Sequence, residues 1–156
     1  MAITNRQRID NGLTELSSGL APFVERELIT HLGESWESRV NDGMKRPLEK
    51  EANGKVHWDS YAILKVMWDQ WNTTFRTPLG KTERSFVSEL IDVRNDHAHE
   101  KKYSYDDTER ALDTMRRLLS ASGASEHADR VSDIRKECIR VQQSEEARNE
   151  TRRARA

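Results

Sequence analysis

Ile9, Leu13, Leu16 and Leu20 lie four, three and four residues apart, and stripes of this spacing recur along the chain. That period puts apolar side chains on one face of an α-helix, so each segment must bury a stripe against another helix. The reading is an all-α helical bundle of about five to six helices. Composition agrees. Charged residues make up 34% of the 156 and the hydrophobic set only 35%, a balance that suits half-exposed helices better than a buried parallel sheet.

With 26 basic and 27 acidic side chains, the net charge of −1 gives no global positive field to steer the chain onto nucleic acid. Any contact with nucleic acid has to be local. A single cysteine, Cys138, excludes an internal disulfide framework and fits a reducing cytoplasm. The N-terminal residues lead into a polar amphipathic pattern, and no stretch approaches about 18 apolar residues, so neither secretion nor membrane spanning is expected.

The first helix starts near Thr4 or Asn5, and Gly19 weakens its end. Pro22 suits the first turn of a second helix carrying Val24, Leu28, Leu32, Trp36 and Val40, so a helical hairpin is expected. Residues 41–57 hold Asn-Asp-Gly, Pro47 and Asn53-Gly54, breaker signals that mark an irregular loop with room for a short hairpin. Asp59 or Ser60 caps a third helix, with Tyr61, Leu64, Trp68, Trp71 and Phe75 on its apolar face. These aromatics suit a base-stacking platform, but at helical spacing they read first as core, which leaves Trp58 as the expected exposed aromatic. A fourth helix begins near Lys81 or Thr82, with Phe86, Val87, Leu90, Ile91 and Val93 inward. A fifth, capped by Ser104 or Asp106, runs to Gly123. The division is a helical domain over 1–122 and a charged C-terminal helix or linker over 123–156, with a thin seam of Val131, Ile134, Cys138 and Val141. Arg148, Arg152, Arg153 and Arg155 near its end suit weak phosphate contact or a solvated helix leading into a larger protein.

The fourth helix ends in Arg94-Asn95-Asp96-His97-Ala98-His99. On a wheel of about 100° per residue, Phe86, Leu90 and Val93 fall within about 60°, with Arg94 and His97 in or beside that sector. An inward guanidinium needs a partner: a carboxylate such as Asp69 or Asp113, or an anion in an open cleft. His99 lies about 140° round from Arg94, whereas Asn95 and His99, four apart, share a face. Lys101 and Lys102 follow directly and add positive charge suited to a phosphate.

Arg94-Asn95-x-x-x-His99 resembles the R-N-x-x-x-H motif of the HEPN superfamily. The segments Tyr61 to Asn72, Thr82 to Ser85 and Tyr105 to Leu112 resemble one subgroup of it. That subgroup accompanies a yeast transcript-surveillance endonuclease and sits at the N-terminus of large bacterial ATPases or helicase-like proteins. The likeness covers roughly Leu13 to Gly123. It implies a HEPN-like bundle that acts either as a metal-independent endoribonuclease or as an RNA-binding or RNA-sensing module, on RNA expected to be single-stranded and without a cofactor or metal, in defence, toxin-like regulation or RNA surveillance. His99 would be the acid–base group, Arg94 the charge partner and Asn95 an orienting residue, with Lys101 and Lys102 touching substrate. A homodimer sharing the site is also implied. Where His97 stands, such sequences usually carry a large apolar or aromatic residue, so His97 is expected as a packed histidine. The alternative is a non-catalytic dimerisation bundle serving ATPase or helicase domains; an Arg94 buried against a carboxylate would favour it.

Overall fold

The computed structural model describes residues 3–156, in which six α-helices and one π-helical turn enclose a single core. Among the described residues there is no strand; Lys50 and Val56 form an isolated antiparallel bridge. Among the described residues no helix is long and apolar enough to cross a membrane.

Helix α1 (Asn5–Leu32) is the spine. Thr4 caps it reciprocally: its hydroxyl accepts from the Gln7 N–H at 3.1 Å, and the Gln7 side chain accepts from the Thr4 N–H at 2.8 Å. The expected break at Pro22 does not occur, and α1 runs through it to Gly33, whose φ of +79° ends the helix. Energetics explain the difference. An interior proline costs about 3 kcal/mol, but each fully buried Leu, Phe or Val contributes about 1.5–3 kcal/mol, and Leu16, Leu20, Phe23, Val24 and Leu28 keep one stripe buried across the site. Gly19 does not weaken a helix end either. A Cβ there would lie 2.6 Å from Leu119 Cδ2 and 2.8 Å from His127 Cβ, so the glycine lets the chain after it in sequence, at 119–127, approach the spine.

Short α2 (Trp36–Asp42) is therefore separate from α1, and the following loop is pinned rather than loose. Trp58 stacks on Trp36 with ring centroids 6.3 Å apart and donates its indole N–H to Glu25 at 2.8 Å. It is half-buried, not the exposed aromatic expected.

Helix α3 (Ser60–Asp69), capped by Asp59, gives way to the π-helical turn Trp71–Phe75. Its inward side chains are Ile63, Leu64, Val66 and Met67, with Tyr61 and Trp68 exposed at 46% and 38%. Ile63, Met67, Trp71 and Phe75 form the buried row at spacing four, and Tyr61 and Trp68 lie about 120° away from its centre. The wider π-turn rotates Phe75 back into the core, at 6.0 Å from Phe23. The aromatic stripe thus splits into two core members and two surface ones.

Helices α4 (Lys81–Ala98), α5 (Tyr105–Ala121) and α6 (Ser125–Arg155) complete the bundle. The first half of α6 packs on α1 and α5 through Ala128, Val131 and Cys138, so the seam is turned inward within the chain; beyond Val141 the helix is largely exposed. Arg8 on α1, 1% exposed, reaches Glu137 on α6 through Nε at 2.6 Å and Nη2 at 2.8 Å, and Asn5 through Nη1 at 2.6 Å. Its guanidinium also lies 6.0 Å from the Tyr105 ring, joining three helices.

Candidate functional site

The last turn of α4 positions the motif. His99 is the C-cap residue, its N–H donating to the Asn95 carbonyl at 3.1 Å. Glu100 then turns the chain with φ of 58°, and the Lys101 N–H reaches back to the Asp96 carbonyl at 3.0 Å. A non-glycine residue in the left-handed region costs about 1 kcal/mol or more, so this exit is held by its surroundings. Tyr103 holds it: its hydroxyl donates to the Val93 carbonyl at 2.8 Å, and its own carbonyl accepts from Asn5 Nδ2 at 3.1 Å. Burial, with a smaller contribution from Asp96, pushes the Tyr103 phenol up to about 12, so the hydroxyl keeps its proton at neutral pH.

Arg94 is half-buried, and its guanidinium sits 4.8 Å over the Tyr61 ring. Neither expected carboxylate pairs with it. Asp69 takes Lys65 at 3.0 Å, and Asp113 takes Arg116 at 2.8 Å and Arg117 at 2.9 Å, so among the described residues Arg94 has no ion-pair partner. It stands between two depressions. One, of about 180 Å³, is bounded by Tyr61, Leu64, Lys65, Ile91, Arg94 and Asn95. The other, of about 430 Å³, lies between α1, the start of α3 and α4, with Arg6, Asp10, Trp58, Arg94 and His97 on its walls.

His97 is packed, with a side chain 17% exposed, yet it also faces the larger cleft, where Nε2 lies 3.3 Å from Asp10 Oδ1. Its Nδ1 is buried without a partner. His99 is exposed at the helix end and lines neither depression. Lys101 is partly engaged, its Nζ 3.4 Å from Asp96, and Lys102 is exposed. One chain therefore brings Arg94 and Asn95 to a common cleft and leaves His99 outside it. No group of three or more His, Cys, Asp or Glu gathers as a metal site among the described residues.

A family model described as Swt1-like HEPN matches residues 11–123, which run from within α1 to just past the end of α5 and include the whole motif. The chain belongs to the Swt1-like HEPN family. HEPN domains are associated with RNA cleavage or RNA binding, and that general role is what membership carries to this chain. No curated protein and no solved structure matches it. Within this HEPN bundle, sequence reading missed the Arg94–Tyr61 stack and the Asp10–His97 contact. The first was legible in part, because Tyr61 and Trp68 sit off the row through Ile63 and Met67. The second joins residues 87 apart in sequence and had no local signal.

Proposed function

We propose that this domain is a metal-independent endoribonuclease acting on single-stranded RNA, with Arg94, Asn95 and His99 as its working residues. The observation that carries the reading is Arg94. A half-buried guanidinium with no ion-pair partner among the described residues, standing between two clefts beside Asn95, is suited to meet a phosphate.

The ribose 2′-OH attacks the adjacent phosphorus as His99 removes its proton, forming the 2′-O–P bond. The P–O bond to the 5′-oxygen breaks, and an imidazolium returns a proton to that oxygen. Products are a 2′,3′-cyclic phosphate and a 5′-OH. Arg94 stabilises the charge that builds on the phosphoryl oxygens, and Asn95 orients the strand or His99. Since His99 lies outside the Arg94 clefts of its own chain, a second copy supplies the complementary half, and the working unit is a homodimer. Lys101 and Lys102 add weak phosphate contacts at the rim. We place the domain in the cytoplasm, in RNA surveillance, defence or toxin-like regulation, beside ATPase or helicase domains, on the resemblance of its motif segments to that subgroup.

The test is cleavage of a labelled single-stranded RNA and its 2′-deoxy analogue in EDTA, with light scattering for mass. The RNA is expected to be cut and the analogue spared, with His99→Ala and Arg94→Ala each lowering the rate roughly 100-fold or more. Activity that survives His99→Ala, or cuts the deoxy strand, would leave a non-catalytic dimerisation bundle as the better reading.

A further inference from the structure

Two aromatic side chains that helical spacing assigns to the core are on the surface instead. Tyr61 and Trp68 lie seven residues apart on α3, two turns and about 10 Å along the same side. Helix α4 runs antiparallel beside them and lays one arginine over each: Arg94 over Tyr61 and Arg84 over Trp68, both 4.8 Å from the ring centroid.

A lone surface cation–π contact commonly does no more than stabilise a fold. Three further facts point outward. Among the described residues neither Arg84 nor Arg94 has an ion-pair partner, and, unlike the equally unpaired Arg6, Arg39, Arg46 and Arg76, each lies over a ring that is itself exposed. Each pair also opens on a depression: the small apolar one at Tyr61 and Arg94, and a broader one of about 620 Å³ at Trp68 and Arg84, floored by Ser85 and Ser88. Finally, acidic charge at the broad end is half neutralised, since Glu89 is held by Arg110 and by the Thr114 hydroxyl at 2.9 Å, leaving Asp92.

Two partly exposed rings about 10 Å apart, each with an unpaired guanidinium over it, match the chemistry of a single nucleic-acid strand. Bases stack on the rings, and phosphates meet the arginines. We infer that the α3–α4 groove from Arg94 and Tyr61 to Arg84 and Trp68 is the track that leads single-stranded RNA into the site. This rests on the ribonuclease reading for the end of the track at Arg94. It adds a binding surface that the motif does not contain. The contacts recognise base faces and phosphates, so the track is sequence-tolerant, and a net charge of −1 does not oppose it because the cations are local.

The experiment uses the full chain and a fluorescein-labelled single-stranded 2′-deoxy oligonucleotide, which can stack and pair its phosphates but offers no 2′-OH to cleave. Anisotropy is followed as salt is varied, beside RNA cleavage, thermal melts and light scattering. Trp68→Ala and Arg84→Ala should each weaken binding about 10-fold, and Trp68→Phe should restore most of it. Arg84→Ala should also reduce the salt slope by about one phosphate contact, with mass unchanged and melting lowered only slightly, by the loss of its stack on Trp68. Ile29→Ser, which alters an equally exposed apolar residue on α1, should bind as wild type. Wild-type affinity in both Trp68→Ala and Arg84→Ala would overturn the track while leaving His99-dependent cleavage standing. A fall in mass to monomer on Trp68→Ala would overturn it in favour of a contact between copies. No binding by the wild-type chain at any salt would overturn the track, and the absence of RNA cleavage beside it would remove the ribonuclease reading as well.

Discussion

Removing either partner of the Arg8–Glu137 pair should have unequal consequences, because the two ends of the pair sit in different surroundings. Arg8 is 1% exposed, and its side chain donates twice to Glu137 and once to Asn5, whereas the Glu137 side chain is 31% exposed. Glu137→Ala strands two N–H donors and a full charge among α1, α5 and α6. Stranding a fully buried ion costs about 3–5 kcal/mol, and partial access of water at Glu137 reduces this to about 2–3 kcal/mol, a fall in Tm of roughly 5–10 °C. Arg8→Met removes the charge and fills most of the volume, leaving a carboxylate that can turn to water, so its cost should be about 1 kcal/mol. The pair also sets an acid dependence. Hydrogen bonding from Arg8, more than any other cause, holds the Glu137 carboxyl below its usual value. A carboxylate whose folded pKa is depressed stabilises fully above its unfolded pKa, about 4.3, and loses that contribution as pH falls through the folded value. The gap between wild type and Glu137→Gln should thus be constant from pH 7 to about 5 and close below about 4. Urea unfolding across that range is the assay. Arg8→Met proving at least as damaging as Glu137→Ala, or a gap that widens toward acid, would refute the reasoning.

Gly19→Ala should lower stability by about 1–2 kcal/mol: crowding against Leu119 and His127, at the upper end of overpacking, costs about 2–3 kcal/mol, and the gain in helix propensity of about 1 kcal/mol offsets only part, so an unchanged melt would count against the close approach. Glu100→Gly should gain about 0.5 kcal/mol in urea unfolding, since relief of the left-handed backbone exceeds the added freedom of the unfolded chain; a clear loss would mean the Glu100 side chain has an unseen partner. Arg94→Ala should cost under about 1 kcal/mol, the worth of its stack on Tyr61, because no carboxylate is stranded. A loss approaching that of Glu137→Ala would indicate a structural ion pair instead.

What could be read from the residues alone follows how local each signal is. The caps at Thr4, Asp59 and Ser104 lie within three residues of the groups they satisfy, and all three start helices as expected. Pro22 misleads because the local cost it signals is outweighed by a buried stripe that closes only when α3, α5 and α6 pack on α1. The aromatic stripe misleads for a geometric reason. Tyr61 and Trp68 have the size of core residues, but the buried row runs through the smaller Ile63 and Met67, and the π-turn changes phase before Phe75. Arg8 continues the spacing-four row of Leu16 and Gly12, yet a charge followed by a glycine carries no apolar signal, and its partner lies 129 residues away. At the site, the wheel puts Arg94 toward the apolar sector, whereas its guanidinium is half-buried and lies over the exposed Tyr61 ring. Its stack on Tyr61 depends on the packing of α4 against α3, which sequence spacing does not encode.

Cys138 gives the bundle a built-in clock. Its thiol is fully buried on the inner face of α6, where burial pushes its pKa up, so a thiol reagent can reach it only when that helix lifts away. With one cysteine in the whole sequence, the labelling rate counts such openings without interference from any other site. Timed beside RNA binding, it would register whether a strand lying on α3 and α4 is felt on the opposite side of the spine.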